Sequence, residues 1–179
     1  MKRILLGFFL ALSVYLFFSP PCEGGLPRSA LEFEKRYRVE GSTPEGAAKL
    51  FFDAVFAYMD RNTRAEGTKM LTLAMNEKPG WDRRHTMKIF TDRMKSGKTA
   101  HIFRSYARGA TPENGYAMDV NDYELVIERT NPDHPKGLQV YLRSGGADYP
   151  RVIYLRQING LWFVTDPSTV KVEVRPPKQ

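Results

Sequence analysis

The chain predicts an α+β domain: three N-terminal helices packed on a curved antiparallel sheet, after a signal peptide. Two observations carry the fold. Apolar residues recur at helical spacing as far as Gly97, and beyond it the period changes to two. Helices come first and strands separated by turns come after, the order of a domain whose layers are segregated. A third observation sets the boundary. A basic and then apolar start precedes everything that could fold.

Lys2 and Arg3 form the basic n-region, and residues 4–18 are uncharged and mostly apolar. A run of about fifteen residues is short for a bilayer-spanning helix and typical of a signal peptide. Pro20 and Pro21 break any helix. Pro21 also stands where a lipobox needs a small residue before Cys22. Cys22 and Gly24 fit the −3 and −1 positions for signal peptidase I, with cleavage before Gly25. Residues 1–24 are therefore read as a signal peptide, with an uncleaved N-terminal anchor as the alternative. Either way the domain is expected outside the cytoplasm, periplasmic or extracellular. If Cys22 leaves with the leader, cysteine catalysis and thiolate metal sites are excluded.

The 179 residues favour one domain. Roughly 150 remain after the leader, enough to bury a core without staples. Hydrophobic residues at 42% and charged ones at 26% are those of a globular chain. Net charge is +7, and +6 once Lys2, Arg3 and Glu23 are removed, so the folded part is basic. That favours anionic partners without choosing among them.

Residues 25–41 are a lead-in. Leu31, Phe33, Tyr37 and Val39 alternate as in a strand, while Ala30, Phe33 and Tyr37 also share a helix face. Residues 42–175 form the domain. Its first helix opens on Ser42 or Thr43 as N-cap, with Pro44 in the first turn and Glu45 at capping-box spacing from Ser42. Ala48, Phe51, Phe52, Val55 and Met59 line its apolar face. A second helix follows Asn62, with Thr63 and Glu66 as another capping box and Met70, Leu71, Ala74 and Met75 inside. The run NEKPGW breaks the chain. A third helix starts near Asp82, buries Met87, Phe90 and Met94, and ends at Ser96 and Gly97.

Strands are then expected at residues 99–107, 123–129, 138–142, 151–158, 161–166 and 169–175. Val170, Val172 and Val174 alternate strictly in the last, and residues 176–179 form a tail. This order resembles the nuclear-transport-factor-2-like superfamily, the cystatin-like cone fold, through the opening STPEGAAKLFFDAV and the late hairpin NGLW. The segment GGADYPRVIYLRQINGLWFV also resembles an uncharacterised bacterial exported domain. The first resemblance implies a cavity between sheet and helices, used in some members for isomerase, dehydratase or cyclase chemistry. The second implies no activity.

The hairpin RVIYLRQINGLWFVTD gives the sharpest register. Asn159 and Gly160 suit a type I′ turn, whose two central residues need positive φ. Ile158 then faces Leu161, Gln157 faces Trp162, Arg156 faces Phe163, and Leu155 faces Val164. Ile153, Leu155, Gln157, Trp162, Val164 and Asp166 share the core side. Tyr154 and Phe163, with Tyr141 of the neighbouring strand, lie on the other side and need cover. A homodimer through that face is one expectation. Cover in cis by residues 31–39 is the other.

Candidate ligand-binding residues are Gln157, Trp162 and Asp166 on the inner face, with His101 and His85. Trp162 would stack on a ligand and Asp166 would accept a proton, or the two are core and an Asp-Pro turn. Acid–base work in an apolar cavity would draw on His85, His101, Asp53, Asp82 or Asp92. His85 and Asp82 share a helix face, which also fits an N-cap and a solvated histidine. His85, His101 and His134 are scattered, without metal-ligand spacing, and no cofactor motif occurs, so neither is expected. Arg83, Arg84, Lys88, Arg93, Lys95 and Lys98 make the third helix basic, suiting anionic lipid or cell-wall polymer, or simply solvent. No nucleic acid is expected. The reading is an exported binding or assembly domain of the cell envelope, non-catalytic. The alternatives are a small-molecule isomerase, lyase or cyclase, and an anionic-surface binder.

Overall fold

The computed structural model describes residues 25–178. The expected leader, residues 1–24 with Cys22, lies outside the described residues. No helix among the described residues is long and apolar enough to cross a membrane.

The lead-in is a helix, α1 (Ala30–Glu40), capped by Ser29, whose hydroxyl accepts the Glu32 N–H. Its helical face decides the ambiguity: Phe33 and Tyr37 are buried, while Leu31 and Val39 are exposed. Then come α2 (Pro44–Met59) and α3 (Arg64–Ala74). Thr43 is the cap of α2, accepting from the Gly46 N–H at 3.1 Å. Eleven residues of α2 are buried, among them Leu50, Phe51, Phe52, Val55 and Tyr58. A helix apolar nearly all round belongs in a core. It touches α1, α3, two later helices and the sheet.

The capping box expected at Thr63 and Glu66 does not form. The Thr63 hydroxyl donates to the Ala57 carbonyl, and the Glu66 carboxylate accepts the Ala30 N–H of α1 at 2.7 Å. The expected third helix is broken as well. Trp81–Arg83 and His85–Met87 are 3₁₀ turns, and α4 proper is Lys88–Lys95. Arg84, extended at ψ 140, interrupts the helical run. Phe90 and Met94 are its buried stripe.

Residues 99–107 are not a strand. Gly97–Thr99 is a 3₁₀ turn that leads into α5 (Ala100–Arg104). Ile102, Phe103 and Tyr106 are all buried, a helical grouping that alternation cannot produce. Among the described residues the segment's β pairing is one isolated bridge, Ala107 to Leu125, which lies outside the sheet.

The sheet has four antiparallel strands in the order β1 (Ile127–Asn131), β2 (Leu138–Leu142), β3 (Arg151–Ile158) and β4 (Leu161–Asp166). Its core side carries Val140, Leu142, Ile153, Leu155 and Val164, all fully buried. Asn159 and Gly160 have φ of 51° and 84°, and the hairpin pairs Leu155 with Val164 as expected. A bulge between Tyr154 and Leu155 then moves Asp166 opposite Tyr154. The expected last strand is absent. Val170 and Val174 are buried while Val172 is exposed. Side chains satisfy its neighbours in place of a ladder. The Thr169 hydroxyl bonds both the N–H and the carbonyl of Val152 at 2.7 Å, and Tyr106 donates to the Val170 carbonyl.

Candidate functional site

Asp53 on α2 is the most unusual polar residue of the interior, because its side chain is only 1% exposed. Lys49, one turn earlier on α2, places its ammonium 2.6 Å from Oδ1. The Tyr123 hydroxyl donates to the same oxygen at 2.8 Å. Arg36 of α1 reaches Oδ2 at 3.4 Å and holds Glu40 through Nε at 2.8 Å. Lys49 also lies 3.9 Å above the Tyr123 ring. Burial raises the Asp53 pKa above the ordinary carboxylate range, against the pull of Lys49, Tyr123 and Arg36. Burial, and then the Asp53 charge, pushes the Tyr123 phenol well up, so it stays a neutral donor. Three chain segments thus meet at one carboxylate. Sealed on all sides, it joins α1, α2 and the approach to β1 and leaves no room for a substrate.

The adjacent surface is different. A cleft of about 620 Å³ opens between the end of α2, the α4–α5 turn and residues 26–28. Its apolar wall is Leu26, Phe56, Met59, Met94, Ala100 and Val120. Arg28, Lys95 and Arg104 line it with a single carboxylate, Asp60. That volume falls in the roughly 300–1,000 Å³ range of small-molecule sites. Residues 25–30 are pinned from several sides. Arg36 donates to the Gly25 carbonyl at 2.9 Å, Asn121 accepts the Leu26 N–H at 3.2 Å, and Glu32 accepts the Arg28 N–H at 2.9 Å. Phe56 stands edge-on to Tyr123, 5.1 Å between ring centres, so the Asp53 hub and the cleft share a wall.

The residues singled out in the sequence scatter. Gln157 is exposed at the hairpin tip. Trp162 is half-buried, and its main chain is bound at the sheet edge: its N–H donates to the Gly41 carbonyl at 2.8 Å, and its carbonyl accepts Tyr37 Oη at 2.6 Å. Asp166 does not share a face with Trp162, because the bulge carries it beside Tyr154. There its Oδ1 accepts the Ser168 N–H, and Lys136 lies 3.8 Å from its other oxygen. His85 is exposed, and the 3₁₀ break removes its helical pairing with Asp82. His101 sits on α5 against Tyr116, with Nδ1 3.1 Å from the Lys98 carbonyl and Nε2 buried without a partner among the described residues.

Phe163 is not part of an open face. Only 8% exposed, it stacks on Tyr37 of α1 at 5.5 Å. Tyr154 is flanked by His134, 5.0 Å between rings, and Tyr141 by Arg129, 3.5 Å above it. Between them Gln139 donates to Tyr154 Oη and accepts from Tyr141 Oη, at 3.2 and 3.1 Å. Of the basic third-helix residues, Arg84, Lys88 and Arg93 are paired to Glu77, Asp92 and Glu173. Among the described residues no group of three or more His, Cys, Asp or Glu could hold a metal ion.

Tyr123, Arg28 and Arg104 were not legible as site residues. Tyr123 alternates with Leu125 and Ile127 like a strand residue. The two arginines lie far apart in sequence, with no spacing to connect them. No curated protein and no solved structure matches the chain. Its fold, from the strap at Gly25 to the Lys178 ion pair with Glu113, spans the segment that a family model recognises. The chain belongs to the family described as Domain of unknown function (DUF6935), which matches residues 25–178.

Proposed function

We propose that this is an exported, non-catalytic binding domain of the cell envelope, and that its ligand seat is the cleft between α2, the α4–α5 turn and residues 26–28. The observation that carries this reading is the lining: an apolar wall with three cations and one carboxylate around about 620 Å³. Convergent polar groups on an apolar hollow are what a ligand site needs. The sealed Asp53 supports a non-catalytic role, since a general base must reach the proton it takes. Kinship with the nuclear-transport-factor-2-like cone fold belongs to the same proposal. It is supported by the order of helices before an antiparallel meander, but the seat lies outside the expected cone interior, where Phe51 and Phe52 are fully buried.

Native mass spectrometry of protein recovered from the envelope fraction tests the reading. The expected result is a retained mass on the wild type that Gly97→Trp loses. Gly97 lines the cleft and has no atom within 4 Å of a built Cβ, so the ring has room to enter. Bare wild-type protein, or recovery with the cytoplasm, would overturn it.

A second reading puts assembly on the outer sheet face, where Tyr141, Gln139 and Tyr154 form a connected polar–aromatic surface. A homodimer there predicts twice the monomer mass in light scattering at micromolar concentration. A monomer would remove it.

A further inference from the structure

We infer that Asn159, at the tip of the β3–β4 hairpin, is a self-modification site, where the side-chain amide cyclises onto the Gly160 nitrogen and is converted to an acid. The chain's other Asn-Gly pair, Asn114 and Gly115, is held out of the same reaction by its hydrogen bonds. Water is the only co-reactant.

The chemistry needs a flexible residue after asparagine, because the following main-chain nitrogen is the nucleophile. The Gly160 nitrogen bonds to Cγ of Asn159 and gives up its proton. The Cγ–Nδ2 bond breaks, and Nδ2 leaves as ammonia. Water then opens the cyclic imide at either carbonyl. Opening at the main-chain carbonyl leaves isoaspartate, and opening at the side-chain carbonyl leaves aspartate.

The two pairs are closely matched in everything except their partners. Both asparagines and both glycines are exposed. Gly115 and Gly160 start from the left-handed region, at φ 65° and 84°, and neither has an atom within 4 Å of a built Cβ. Asn114, however, is bound at both ends of its amide. Its Oδ1 accepts the Thr111 N–H at 3.0 Å, and its Nδ2 donates to the Gly109 carbonyl at 2.9 Å. The nucleophile is bound as well, since the Gly115 N–H donates to the Pro112 carbonyl at 3.2 Å. At the hairpin tip no hydrogen bond engages the Asn159 side chain or the Gly160 N–H among the described residues. Two side-chain bonds of ordinary net strength, broken before attack, slow it at Asn114 by about thirtyfold.

The site matters because Asn159 and Gly160 are the whole of the turn that pairs Ile158 with Leu161 and Gln157 with Trp162. Isoaspartate carries the former Cβ in the main chain, and a two-residue turn has no slack for an extra atom. Pairing should loosen from the tip toward Trp162, whose N–H the Gly41 carbonyl accepts at 2.8 Å. Aspartate keeps the turn, because its side chain tolerates positive φ.

The test incubates the full chain in mildly alkaline buffer, folded and in urea, and follows both pairs by peptide mass spectrometry. In the folded protein Asn159 should convert at least about thirtyfold faster than Asn114. In urea the two rates should become equal, since both pairs then have the same chemistry and no partners. Comparable rates in the folded protein, faster conversion at Asn114, or a ratio that survives urea would overturn the inference. So would an Asn159 that stays intact when folded while the unfolded chain converts. Hydrogen exchange on the separated products tests the consequence. The Trp162 amide should exchange faster in the isoaspartate form than in the aspartate form, and equal exchange would overturn the loss of pairing.

Discussion

Asp53 gives the sharpest physical test of the fold. Its carboxylate is 1% exposed and receives Lys49 at 2.6 Å and Tyr123 at 2.8 Å. Asp53→Asn keeps an acceptor oxygen and removes the charge. A hydrogen bond to a charged group is worth roughly 1.5–3 kcal/mol and a neutral one roughly 0.5–1.5, so two downgraded bonds cost about 2 kcal/mol. The amide no longer needs the desolvation of an ion, and because burial outweighs the partners of Asp53, this offsets the weakened bonds and leaves stability at pH 7 unchanged or slightly raised. Asp53→Ala is worse. It strands the Tyr123 hydroxyl and opens a cavity. Breaking a buried pair costs about 3–5 kcal/mol, and Lys49 at 29% exposure recovers some solvation, so about 3 kcal/mol is expected. Urea unfolding measures both. With a slope of about 2 kcal/mol per molar, Asp53→Ala should lower the midpoint by about 1.5 M.

The pH dependence is the discriminating part. The Asp53 pKa is raised in the folded state, so the folded chain holds this proton more tightly than the unfolded one. The corresponding stability is fully present below the ordinary carboxylate pKa and is lost as pH rises through the raised value. Asparagine does not titrate. The stability of the wild type relative to Asp53→Asn should therefore grow on acidification from pH 7 toward 4. A difference that shrinks on acidification would mean that the partners outweigh burial, and would refute the reasoning.

Three further outcomes follow from packing and polar satisfaction. Gly67→Ala should destabilise by about 3 kcal/mol, the top of the usual overpacking range, because its Cβ would meet the main chain of α2, 2.6 Å from the Ala57 carbonyl carbon and the Tyr58 Cα; thermal unfolding measures the loss. Tyr37→Phe should cost about 1–2 kcal/mol, since burial keeps this phenol a neutral donor and its 2.6 Å bond to the Trp162 carbonyl helps close the edge of β4. Hydrogen exchange at β4 should rise in that variant more than at β2, and equal exchange would detach Tyr37 from the edge.

Where local signals and burial agree, the sequence is readable. The cap, the proline and the wide apolar face of α2 all point one way, and Asn159-Gly160 sets the hairpin register as far as Leu155 and Val164. Residues 169–175 alternate in sequence like a strand, yet Tyr106 and Arg93 donate to the Val170 and Lys171 carbonyls, and the Thr169 hydroxyl rather than a ladder joins the segment to Val152. Residues 99–107 show the reverse, a short helix too brief to display a period. The bulge beside Tyr154 is invisible to a rule of strict alternation, and it moves Asp166 to the other face. Asp53 was in view as an acid–base candidate, but its partners Arg36 and Tyr123 come from segments that only tertiary structure brings together. The cleft cations share the same difficulty, being far apart along the chain.

Comparing amide chemical shifts of the protein carrying its retained envelope ligand with those of the stripped protein tests the central claim most directly. Ligand seated in the cleft should perturb residues 26–28, 59–63 and 94–100 and leave the sheet unmoved. Perturbations centred on Gln139, Tyr141 and Tyr154 would contradict it and move the binding surface to the outer face of the sheet.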